Sequence, residues 1–94
     1  MNSIEFINKL EELKQLNLNF NYYYLYISNC GCFDEMWIND THQPQTPQYL
    51  IDCIKLDLES GRSYNTISYD TEEDYRRYVS INDIIVQDGC LEFI

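Results

Sequence analysis

The chain has 94 residues, with 16 Asp and Glu against 6 Lys and Arg, a formal charge of −10, and 45% hydrophobic and 15% aromatic residues. So acidic a chain repels nucleic acid and anionic lipid rather than gripping them, and its apolar content is too high for a disordered acidic tail. The length suits one domain, expected over residues 1–94.

Asn2 or Ser3 caps a first helix, with Glu5 at capping-box spacing from Asn2. Phe6, Ile7, Leu10 and Leu13 then recur at helical intervals, which predicts a helix over residues 3–16. Residues 17–22 alternate polar and apolar with period two, and both faces turn apolar through Tyr23–Ile27, predicting a strand that becomes central. The segment Asn29-Cys30-Gly31-Cys32 reads as a turn. A returning antiparallel strand over 33–39 sets Phe33, Glu35 and Trp37 on one face and Met36 and Ile38 on the other.

Residues 41–45 form a polar loop, and Thr46-Pro47 supplies an N-cap followed by proline at the first helical position. Leu50, Ile51, Ile54 and Leu58 make the apolar stripe of that helix, with Gly61 as its C′ residue; a strand over 50–58 is the competing reading. Residues 63–69 are strand-like, and Thr71 followed by Glu72, Glu73 and Asp74 starts a short third helix through Tyr78. Ile84, Ile85 and Val86 meet Asp88-Gly89, a type I′ turn signal, so that residues 90–94 close a hairpin. The sum is an α+β fold with an antiparallel sheet of about four to five strands, two main helices and a short third. The segment SINDIIV over residues 80–86 resembles the S-x-x-D-V-V-V stretch near the end of YodL-like domains of mobile elements.

The acidity runs against the rest of the composition. Asn, Ile and Tyr occur nine, eleven and nine times and Ala not at all, a signature of A/T-rich codons. Such codons favour Lys, yet only Lys9, Lys14 and Lys55 are present. Cations were therefore selected against on this surface.

The segment MNSIEFINKLEEL lacks the apolar core of a signal peptide, and no apolar stretch approaches the about 20 residues that span a bilayer. A cytoplasmic protein is expected, with Cys30, Cys32, Cys53 and Cys90 reduced. A zinc site from Cys30, Cys32 and His42 is a rival reading, but C-x-C is not the usual knuckle and no second knuckle follows. Cys53 and Cys90 read as small core hydrophobes. His42 has nothing in the sequence to orient it as a base, so no catalytic residue and no cofactor is assigned.

The carboxylates are spread along the chain, and Glu72–Arg76 and Glu73–Arg77 are i,i+4 pairs that partly neutralise their own helix. Nine tyrosines exceed what a core this small hides, and exposed tyrosine among acids is the composition of a protein-binding surface. The expectation is a non-enzymatic inhibitor or adaptor that binds a basic protein surface, such as that of a nucleic-acid-binding protein or nuclease, through Asp34, Glu35, Asp40, Asp70 and Glu73, with Trp37 and Tyr24 as aromatic anchors. Small size, acidity and A/T-rich coding resemble in kind the anti-CRISPR and anti-restriction proteins of phages and mobile elements, some of which mimic nucleic acid. The rival from another class is an acidic structural module that forms a homodimer through its Tyr-rich strands.

Overall fold

A computed structural model describes residues 1–20, 23–29, 35–41, 46–70 and 78–94, the stretches 23–29 and 39–41 by backbone alone. The expected turn at Cys30–Cys32, Phe33, the loop residues 42–45 and the short helix over 71–77 lie outside the described residues.

Helix α1 (Ser3–Leu13) starts on the anticipated capping box: the Glu5 N–H donates to Asn2 Oδ1 at 2.8 Å, and the Asn2 N–H donates to Glu5 Oε1 at 3.0 Å. It tightens into a 3-10 turn over Lys14–Leu16 and stops at Asn17, whose φ of 56° is left-handed. The alternation that follows reports burial correctly, with Phe20 buried, Leu18 half-buried and Asn17 and Asn19 exposed. It does not make a strand there. Among the described residues Phe20 forms an isolated parallel bridge to Leu91, and the left-handed cap at Asn17 turns the chain toward the terminal hairpin.

Strand β1 (Tyr23–Asn29) pairs antiparallel with β2 (Glu35–Thr41), with an irregularity between Tyr24 and Tyr26. Helix α2 (Pro47–Glu59) follows, capped by Thr46, whose Oγ1 accepts from the Tyr49 N–H at 3.3 Å. The helical reading of residues 50–58 therefore holds over the strand reading. At its end the Arg62 N–H donates to the Asp57 carbonyl and the Gly61 N–H to the Leu58 carbonyl, a Schellman closure that needs the left-handed φ of 83° at Gly61. Strand β3 (Thr66–Asp70) comes next, then β4 (Tyr78–Ser80). Tyr78 thus opens a strand rather than ending the expected helix. Strands β5 (Ile84–Gln87) and β6 (Cys90–Phe93) form the terminal hairpin, with positive φ at both Asp88 and Gly89 as a type I′ turn requires.

The sheets differ from the expected all-antiparallel one. The main sheet has the order β1-β2-β3-β4, with β2 and β3 parallel, while β5 and β6 form a separate two-stranded sheet. The parallel pair follows from α2: a helix between successive strands carries the chain back to the end where it started. The α+β class stands, with a mixed sheet in place of the antiparallel one.

The core lies between this sheet, both helices and the hairpin. Phe6, Leu10, Leu50, Ile51 and Ile54 from the helices meet Met36, Ile38 and Ile67 from the strands, and all are fully buried. Each such side chain contributes on the order of 1.5–3 kcal/mol when removed from water. Phe93 closes the hairpin side, with ring centroids 4.8 Å from Phe20, 5.4 Å from Tyr69 and 5.9 Å from Phe6. Tyr64 is buried against α1, where its N–H donates to Ser3 Oγ at 2.9 Å and its hydroxyl donates to Asp57 Oδ2 at 3.1 Å.

Candidate protein-binding face

Side chains alternate across a strand, so burying Met36 and Ile38 under the helices turns Glu35 and Trp37 to the opposite face. The ladder extends that face sideways: Trp37 lies opposite Ser68, Ser68 opposite Ser80, and Asp70 opposite Tyr78. Residues directly opposite one another share a face. The outer face of β2, β3 and β4 therefore carries Glu35, Trp37, Ser68, Asp70, Tyr78 and Ser80.

Across this face Trp37 and Tyr78 stack with centroids 4.4 Å apart and planes at 14°. They stand on β2 and β4, so the pair spans β3 above Ser68. Tyr78 remains 39% exposed, whereas Ser68 is only 7% exposed. The Ser68 hydroxyl makes no hydrogen bond among the described residues. A buried hydroxyl without a partner costs about 1–3 kcal/mol, which makes it an unusual component of a finished surface. Glu35 is exposed and, among the described residues, has neither an ion pair nor a hydrogen bond.

The helical side handles charge differently. Lys14 Nζ lies 2.6 Å from Glu11 Oε2, Lys55 Nζ lies 3.1 Å from Glu11 Oε1, and Lys9 Nζ lies 3.6 Å from Asp83 Oδ1. Hydrogen bonds from Lys14 and then Lys55 hold the Glu11 carboxyl below its ordinary value of 4.5. All three lysines are thus engaged on this side, and Arg62, the other described cationic side chain, lies in the turn after α2. Among the described residues, no Lys or Arg stands on the outer face of the sheet.

Three of the seven expected contact residues, Glu35, Trp37 and Asp70, therefore share one face. Asp40 pairs with Tyr24 at the far end of the β1–β2 ladder, both described by backbone alone, while Asp34 and Glu73 lie outside the described residues. Tyr78 and Ser68 belong to the face but escape sequence reasoning. A three-residue strand has too little alternation to register, and nothing in the residue type of Ser68 marks it as buried.

Cys30, Cys32 and His42 of the zinc reading fall outside the described residues, among which no three His, Cys, Asp or Glu side chains converge on a metal position. Cys53 and Cys90 are free thiols and half-buried, less enclosed than core hydrophobes. Burial pushes the Cys53 thiol up, with a Tyr49 hydrogen bond opposing. An open cleft of about 480 Å³ between the 3-10 turn and the start of α2 includes Lys14, Leu18, Thr46 and Pro47 in its lining, and its described lining contains none of Glu35, Trp37 and Asp70. No helix among the described residues is long and apolar enough to cross a membrane.

The fold and this face together define an α+β protein with a helix-covered sheet whose other side presents a stacked aromatic pair among carboxylates. No family model, curated protein or solved structure matches the chain, so the YodL-like resemblance stays confined to residues 80–86.

Proposed function

We propose that this protein is a small acidic, non-enzymatic interaction protein that binds a basic surface on another protein. The partner class is a nucleic-acid-binding protein such as a host defence nuclease or regulator, inhibited in the cytoplasm in the manner of anti-CRISPR and anti-restriction proteins of phages and mobile elements. One observation carries the reading: the lysines are tied to carboxylates on the helical side, whereas the outer sheet face presents Glu35 beside Trp37 and Tyr78 with no described cation. Complementary charge steers such an encounter and excludes the partner's nucleic acid, while the aromatics supply contact area. Occupation of the groove by spaced carboxylates is the mimicry version of the same reading. Capture of a basic nucleic-acid-binding protein from the native host, with affinity that falls steeply between low and high salt, is the expected result. Affinity indifferent to salt would sink the proposal.

A second reading has an observation of its own. Strand β1, which carries Tyr23, Tyr24 and Tyr26, is an edge of the main sheet. An edge strand can pair with its copy in a homodimer. Light scattering that gives a monomer mass at every concentration removes it.

A further inference from the structure

We propose that the outer sheet face receives an arginine side chain of the partner, its planar guanidinium lying against the Trp37–Tyr78 pair and bonding to Glu35. This rests on the basic-partner reading and narrows it to one cation. Two features converge. The two rings, anchored on β2 and β4, stack face to face and stay partly exposed, so a flat cation packs against the outer face or rim of the pair. Cations bind over such rings, and a guanidinium also stacks on them.

Glu35 stands two residues from Trp37 on the same strand face, about 7 Å along the strand, with no partner among the described residues. A carboxylate there accepts two parallel N–H bonds from a guanidinium whose plane rests on the aromatic pair. A guanidinium carries five N–H donors, no acceptor and a flat face. An ammonium is compact, strongly hydrated and has no face to stack. A nucleobase stacks equally well but brings its phosphates beside Glu35, where they are repelled.

Trp37 is the only tryptophan in the chain, so its emission reports from this face alone. The test titrates the full chain with arginine and lysine peptides of equal length at fixed salt. The arginine peptide is expected to change Trp37 emission and to bind roughly fivefold more tightly than the lysine peptide. Glu35→Gln should erode that preference, and circular dichroism checks that the variant is folded. Equal affinity for both peptides overturns the arginine site while leaving the basic-partner reading standing. Arginine-peptide binding that leaves Trp37 emission unchanged overturns it too, by placing the contact elsewhere. Binding of neither peptide sinks the inference and the reading beneath it.

Discussion

The helical side and the outer sheet face both carry carboxylates, but all three lysines lie on the helical side. On the helical side Glu11 is shared between Lys14 and Lys55, and Asp83 reaches Lys9, so that the charge of these two carboxylates is met within the molecule, while Glu12 stays exposed. On the sheet, Glu35 meets no described cation and lies near a stacked Trp37–Tyr78 pair. Net charge alone does not separate these cases. A carboxylate informs about a partner only where the protein's own cations are elsewhere.

The contrast can be broken from either side, and the largest effect comes from the core beneath the helices. Ile54 is fully buried, so Ile54→Ala should cost about 2–5 kcal/mol in urea unfolding while the folded fraction retains its affinity for a basic peptide. Trp37→Ala should show the reverse, with a smaller loss of stability, of which about 0.5–1.5 kcal/mol is the lost stacking, and no peptide binding. A Trp37→Ala protein that binds as before would erase the difference between the two regions.

Smaller effects sharpen the helical side. Tyr64→Phe removes the hydroxyl that donates to Asp57 and should cost about 1.5 kcal/mol, and Thr46→Ala removes the α2 cap and should cost about 1 kcal/mol. Both are read from denaturation midpoints, and neither should alter peptide affinity. The smallest effect is electrostatic. The folded Glu11 carboxyl titrates below its ordinary 4.5, so its contribution is complete above that value and is lost as pH falls through the lowered one. Wild type should therefore exceed Glu11→Gln in stability at neutral pH, and the gap should close in acid. A gap that persists in strong acid would show that the lysine clamp is not its source.

Local chemistry made much of the fold legible. The Asn2–Glu5 box, the Thr46-Pro47 start, the Gly61 stop and the Asp88-Gly89 turn each act through residues within a few positions, and each stands where its sequence placed it. The order of strands was not legible. The parallel pairing of Glu35 with Thr66 depends on where the α2 crossover returns the chain, and no residue in either strand encodes that. The candidate face divides along the same line. Alternation in β2 identified Glu35 and Trp37 as neighbours on one side, whereas the Tyr78 ring arrives from a strand two places across the sheet. Lys55 is likewise 44 residues from Glu11, so the paired state of that cation is a property of helix packing.

The most direct test changes the same charge in both regions. Glu35→Lys on the sheet and Glu12→Lys on α1 each replace one exposed carboxylate with one ammonium, and therefore alter the net charge of −10 equally. If the outer face is the docking surface, Glu35→Lys weakens arginine-peptide binding roughly tenfold or more while Glu12→Lys changes it by no more than about twofold. Equal weakening by the two variants would contradict the account, because bulk acidity, and not this face, would then be what the partner feels.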